Sequence, residues 1–201
     1  MKNKNDRISI FKDKDDIKFL LTDDNIINVT GIIGSGKTTL AREIRNDTSF
    51  ELISLDWMFG ASLKNRPENI KKLSDDFEKL YPDKNKYEYA DLIYKYLLAN
   101  LSDNKIFEGR HIYRYIDPKV LKGTLIIKRT SLINSYKRAF KRDMNNKIKE
   151  YKRKEIKFSK VLNRFFARIK FPILEYIRIN NYINTLKENT KRDNIRKWYN
   201  E

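Results

Sequence analysis

The chain has 201 residues, 40% hydrophobic and 12% aromatic, which is enough for one domain with its own core and too apolar for a wholly disordered chain. It holds no cysteine and one histidine, His111, which excludes a disulfide framework, a thiolate zinc site and any multi-histidine metal site. The net charge of +17 arises in the second half: residues 1–100 carry 17 Lys+Arg against 17 Asp+Glu, residues 101–201 carry 27 against 10, and 128–170 alone carry 16 against 3.

A local basic excess attracts polyanions, so nucleotide phosphates, nucleic acid or anionic lipid are the expected partner classes for 128–170. The opening stretch MKNKNDRISIFKDKDD is too polar for a signal peptide, and no apolar run approaches the ~20 residues that span a bilayer. A cytoplasmic protein without a membrane span is expected. Nothing in the sequence sets an oligomeric state.

In chain order, residues 7–21 fit a strand or a helix equally well. IINVT, 26–30, is a short β-prone run that enters glycines and is predicted to be a buried strand. TTLAREIRN, 38–46, has helix-forming composition. ELISL, 51–55, is a second strand. Pro67-Glu68 opens a helix to 80 with Ile70, Leu73, Phe77 and Leu80 at helical spacing, and 86–101 repeats the pattern. KIFEG, 105–109, and TLIIK, 124–128, are the third and fourth strands. Beyond 131 the pattern is helical. One stripe is Leu132, Ile133, Tyr136, Phe140 and Met144; a second is Phe158, Val161, Leu162, Phe165, Phe166 and Ile169, expected to be buried. Pro172 is expected to bend or end that helix, with a last helix over 173–188 and a polar tail over 189–201. Strands alternating with helices predict an α/β fold with a mostly parallel sheet and helices on both faces, with a basic helical C-terminal part. No fifth strand is evident near the C-terminus.

Gly31-Ile32-Ile33-Gly34-Ser35-Gly36-Lys37-Thr38 matches G-x-x-x-x-G-K-[ST] in full, after a predicted strand and before a predicted helix. Glycines let the backbone approach phosphates closely, and the loop N–H groups and helix start face the anion. Lys37 would place its ammonium on the β/γ-phosphates, and the Thr38 hydroxyl would face Mg²⁺. Gly31, Gly34, Ser35, Gly36, Lys37, Thr38 and Thr39 are the expected nucleotide-binding residues, with ATP and Mg²⁺ as cofactors. No N-K-x-D element and no aliphatic run ending in Asp-Glu follows, which disfavours a GTPase and a standard hydrolytic Walker B acid. Asp56 and Glu108, each closing a predicted strand, are the candidate acids.

The loop, Ile53-Ser54-Leu55-Asp56-Trp57, Ile106-Phe107-Glu108-Gly109 and Arg138-Ala139-Phe140-Lys141-Arg142 occur in an order that resembles the P-loop nucleoside- and nucleotide-kinase-like enzymes. The resemblance is to the adenylate-kinase-related group called topology modulation proteins, and it spans about residues 25–145. It implies a three-layer P-loop NTPase sandwich. Asp56 matches the family's acid that faces acceptor and metal. The third strand ends in Glu108-Gly109 where the family commonly has Asp-Gly, and Glu108 joins Thr38 and Asp56 as an expected metal residue. Arg110 looks placed for an acceptor phosphate, with Arg114 as a second candidate. The resemblance also implies that Arg138 and Arg142, one helical turn apart, clamp the transferred phosphoryl group from a lid that closes over ATP.

The chain is therefore expected to form a single kinase-like domain over 1–201, with an acceptor-binding helical module at 57–104, a basic lid at 131–170, and a C-terminal helix and tail at 171–201. Arg66, the only arginine of the 57–104 span, is a further acceptor-phosphate candidate. Trp57, Phe59, Tyr87, Tyr89 and Tyr96 suit either base stacking or helix packing. His111 shows no partner in the sequence and reads as structural. Lys37, Asp56, Arg138 and Arg142 are the expected catalytic residues of an ATP-dependent transfer to a small-molecule acceptor, such as a nucleoside or nucleotide. The alternatives are a 5′-hydroxyl polynucleotide kinase, a nucleic-acid-stimulated ATPase, a nucleotide-switched binding module and a kinase-like toxin acting on a sugar nucleotide.

Overall fold

A computed structural model describes residues 8–11, 25–59, 66–82, 85, 87–101, 103–153, 156–193 and 198–200. Strand β1 covers Ile8–Phe11 and β2 Ile26–Thr30. Helix α1 (Lys37–Asp47) leads to β3 (Glu51–Ser54), and α2 (Leu55–Met58), α3 (Glu68–Leu80) and α4 (Ala90–Asn100) follow. Strand β4 (Lys105–Glu108), α5 (His111–Tyr115) and β5 (Thr124–Lys128) precede the long helices α6 (Leu132–Lys152) and α7 (Phe158–Asp193), and β6 is Trp198–Asn200.

The strands form one sheet in the order β3-β4-β2-β5-β1-β6, and every pairing is parallel. Parallel neighbours need crossovers, and the helices supply them. Both faces of the sheet are covered, so the central strands are near-continuously apolar. Alternate residues divide between two cores. Ile27, Val29, Ile106 and Ile126 pack with Leu40, Ala41 and Ile44 of α1. Phe107 and Ile127 face the other way, onto Ile93, Tyr94 and Leu97 of α4 and Ile183 and Leu186 of α7. Asn28, at the centre of β2, is fully buried and satisfied: its amide donates to the Lys122 carbonyl (2.7 Å), and its oxygen accepts from the Tyr94 hydroxyl (2.9 Å).

The four strands expected at 26–30, 51–55, 105–109 and 124–128 are all present. Two further strands complete the sheet. β1 resolves the ambiguity at 7–21 in favour of a strand over 8–11, the rest of that stretch lying outside the described residues. β6 places a strand in the predicted tail, paired with β1. Pro172 does not end its helix, because α7 runs unbroken through it for 36 residues. The expected boundary between 170 and 171 thus falls inside one helix. A proline removes one N–H bond and crowds the preceding turn, and here Val161 before it and Glu175, Ile179, Tyr182 and Leu186 after it are buried and anchor both segments. The stripe beginning at Phe158 is only partly buried: Val161 is, whereas Phe158 and Leu162 are exposed. The side chains of Phe165, Phe166 and Ile169 lie outside the described residues. No helix among the described residues is long and apolar enough to cross a membrane.

Candidate functional site

From β2 the chain passes through α1 to β3 on one side, while the connection from β4 to β5 crosses to the other. Connections diverge at the carboxyl end of β2, and a crevice opens at such a point in a parallel sheet. The glycine-rich loop occupies it. A turn closes where the Ser35 N–H meets the Ile32 carbonyl (3.1 Å), and α1 begins with Leu40 N–H on the Gly36 carbonyl (3.0 Å). Gly36, the residue before α1, is left-handed at φ 88°, and no side chain caps the helix start. Its first N–H groups therefore keep their capacity to receive an anion. Ser35 is 1% exposed, and its hydroxyl has no hydrogen-bond partner.

Helix α6 rests on this loop. The Ser135 hydroxyl, fully buried, donates to the Ile33 carbonyl, and the Arg138 guanidinium reaches the Gly34 carbonyl at 3.4 Å. Gly34 is left-handed at φ 77°, and a Cβ there would stand 2.7 Å from the Ser135 carbonyl oxygen. The contact therefore requires glycine. The first turns of the predicted lid are thus fixed to the loop by a residue, Ser135, that sequence reasoning missed.

Two acids close the crevice. Thr38 donates to Glu108 Oε1 at 2.8 Å, joining the first turn of α1 to the end of β4. Glu108 is 4% exposed; burial pushes its carboxyl up, against the pull of Lys37 and the Thr38 hydrogen bond. Lys37 is pushed down by burial, with Arg110 and Arg142 adding to the effect and Glu108 and Asp56 opposing it. Asp56 behaves differently. Burial would raise it, but His111, then Arg110 and Lys37, more than offset that and hold it below the usual carboxylate range.

His111 is the second residue that the sequence reading missed. Its Nδ1 lies 2.6 Å from Asp56 Oδ1. The imidazole is buried and lies flat against Phe59, ring centres 4.4 Å apart and planes 2° from parallel, with Tyr115 and Tyr87 flanking it. Strands β3 and β4 are neighbours with Ser54 opposite Glu108, so residues two and three beyond their ends meet. That adjacency, invisible in the linear sequence, brings His111 to Asp56.

The structure thus gathers Lys37, Thr38, Asp56, Glu108 and Arg110 around the loop of Gly31, Gly34, Ser35 and Gly36, and brings Arg142 within electrostatic reach of Lys37. Thr39, next to Thr38, is exposed on the first turn of α1. No hydrogen bond or ion pair among the described residues ties Arg66 to this group. Arg114 points elsewhere. It pairs with Glu175 of α7, a fully buried carboxylate that also accepts from the Tyr113 hydroxyl. Of the aromatic candidates, Phe59 and Tyr87 stand around His111, whereas Tyr96 packs edge-on against Phe77 and Tyr89 against the core.

No family model matches the chain, and no curated protein matches it. Among solved structures it is similar to the crystal structure of TT1252 from Thermus thermophilus, at 21% identity over 71% of this chain and 78% of that one, with a TM-score of 0.35.

Proposed function

We propose that the chain is an ATP-dependent phosphotransferase of P-loop kinase type, acting on a small-molecule acceptor. The observation that carries this reading is the convergence of Lys37, Thr38, Asp56 and Glu108 with the glycine-rich loop at the carboxyl ends of β2, β3 and β4.

The residues suit a triphosphate. The partnerless Ser35 hydroxyl and the uncapped start of α1 are donors without an acceptor, and Lys37 adds an ammonium beside them. Gly36 faces open space. The oxygen donors of Thr38, Glu108 and Asp56 suit a hard divalent cation. Mg²⁺ takes most of its ligands from phosphate and water and needs few from the protein. Such an ion, held by Thr38 with Glu108 and Asp56 beyond it, would neutralise phosphate charge.

Asp56, kept ionised by His111 and Arg110, accepts a hydrogen bond from the acceptor hydroxyl and turns its oxygen toward the γ-phosphorus. A bond forms from that oxygen to phosphorus as the bond to the β-phosphate oxygen breaks. The hydroxyl proton passes to Asp56 and on to solvent, and ADP leaves. Lys37, Arg110 and Arg142 supply positive charge where negative charge spreads over the transferring group, and positioning does most of the work.

The test is transfer of labelled γ-phosphate from ATP–Mg²⁺ by wild type and Lys37→Ala in parallel. Acceptors are a desalted small-metabolite extract and, separately, oligonucleotides with free 5′-hydroxyls. Label in a small molecule, absent with Lys37→Ala, is the expected result. Label on the oligonucleotide would transfer the reading to a polynucleotide kinase, and label only in free phosphate to an ATPase.

A further inference from the structure

The far end of the α6–α7 hairpin carries a feature that nucleotide chemistry does not use. Tyr151, at the end of α6, and Phe158, at the start of α7, bring their rings to 5.7 Å at an angle of 57°. They are 46% and 56% exposed, and Ile148 and Leu162, about one turn further along each helix, are 40% and 43% exposed. Four large apolar side chains thus stand in water at one end of the hairpin. Lys149, Lys152, Lys157 and Lys160 are exposed beside them and make no ion pair among the described residues. Residues 147–160 hold seven Lys+Arg and two Asp+Glu, and one of those acids, Glu150, is already paired with Lys147.

An occupant has to satisfy both the apolar cluster and the lysines. A second copy of the chain would set the same lysines against each other, which like charges oppose. Nucleic acid would answer the lysines, but it recognises by stacking and base edges and offers Ile148 and Leu162 nothing comparable. An anionic bilayer answers both. Its headgroups meet the ammonium groups, and the acyl boundary receives the apolar side chains, with the lysine stems reaching back to the headgroup level. We propose that the tip of the α6–α7 hairpin is a docking surface for an anionic lipid membrane.

Tyr151 lies 16 residues beyond Ser135 on α6, roughly 24 Å along the helix axis at 1.5 Å per residue. Docking at the tip therefore leaves the glycine-rich loop unobstructed, and the proposal stands independently of the phosphotransferase reading.

The experiment is flotation of the full chain with vesicles of phosphatidylcholine alone, or of phosphatidylcholine with phosphatidylserine. Two double variants accompany the wild type: Tyr151→Ser with Phe158→Ser, and Lys152→Glu with Lys157→Glu. All four positions are exposed, and circular dichroism verifies the folds. Wild type should float with the phosphatidylserine vesicles only. The serine variant, whose charge is unchanged, should bind at least about tenfold more weakly. The glutamate variant should lose about fivefold or more per lysine replaced. Flotation of the serine variant equal to wild type would overturn the proposal, since charge alone would then explain adhesion. Retention on a DNA or RNA oligonucleotide without flotation would overturn it in favour of nucleic acid, and binding to neither would overturn it outright.

Discussion

Nδ1 of His111 and Oδ1 of Asp56 lie 2.6 Å apart, although the two residues come from separate connections after neighbouring strands. The imidazole is held flat against Phe59, so the carboxylate it faces has little freedom. His111→Phe should preserve the ring packing and leave ATP binding near wild type, while slowing transfer about tenfold or more, because a loosened Asp56 no longer orients the acceptor. Equal single-turnover rates for both proteins would remove His111 from the mechanism.

Asp56 also sets part of the acid response. Its carboxyl is held below the usual range in the fold, so it contributes stability above its unfolded value of about 3.9, and this is lost as pH falls through the lower folded value. Asp56→Asn should flatten the acid limb of a stability–pH curve below about pH 4 relative to wild type. Urea unfolding at several pH values measures it.

Glu108 carries the opposite sign. Burial raises its carboxyl in the fold, so the folded chain holds this proton more tightly than the unfolded one does. Ionisation then costs stability, a cost absent below the unfolded value of about 4.3 and complete above the folded one. Glu108→Gln keeps an acceptor for Thr38 and removes that cost. Its Tm at neutral pH without Mg²⁺ should rise, ~1 kcal/mol being worth about 2–4 °C at this size. On the phosphotransferase reading, Mg²⁺–ATP should stabilise wild type more than this variant. Thermal melts with and without Mg²⁺–ATP read both effects.

Gly34→Ala tests the seat of α6 on the loop. The added Cβ would meet the Ser135 carbonyl at 2.7 Å in a left-handed residue. A loss of about 1–3 kcal/mol in stability is expected, together with at least a tenfold loss in ATP affinity. Titration calorimetry and denaturant melts measure the two, and unchanged affinity would mean that α6 and the loop are not coupled.

Glu175→Ala should be among the most damaging single changes outside the crevice. It strips a fully buried carboxylate from the Arg114 guanidinium and the Tyr113 hydroxyl, the latter already pushed up by burial and by Glu175 itself. Breaking a buried pair from one side costs about 3–5 kcal/mol. Denaturant unfolding measures it, and a loss within the range of ordinary surface substitutions would show that Arg114 finds another partner.

The central sheet was legible because strands covered on both faces leave compact apolar runs between turn residues, as in IINVT and TLIIK. The loop was legible because its chemistry demands particular residues at fixed spacing. β1 and β6 were not, since four residues in a charged setting and three near the end carry no periodicity to read. The path of α7 through Pro172 was hidden because burial on either side, not local propensity, decides it. His111 and Ser135 were missed for a related reason. Each matters through a neighbour 55 or 102 positions away, His111 through Asp56 and Ser135 through Ile33, and only strand order and helix seating supply those neighbours.

The pairing of β1 with β5 and β6 also fixes an order of events at the ribosome. β3, β4, β2 and β5 lie within residues 26–128, so the central sheet and the crevice at its carboxyl edge have their strands while α7 is still being made. The outer wing differs. Its last pairing joins residues 8–10 to 198–200, a loop closure across nearly the whole chain, and such non-local contacts form slowly. During synthesis β1 therefore has β5 as a partner well before it has β6, and its outer edge stays open until residue 200 has emerged.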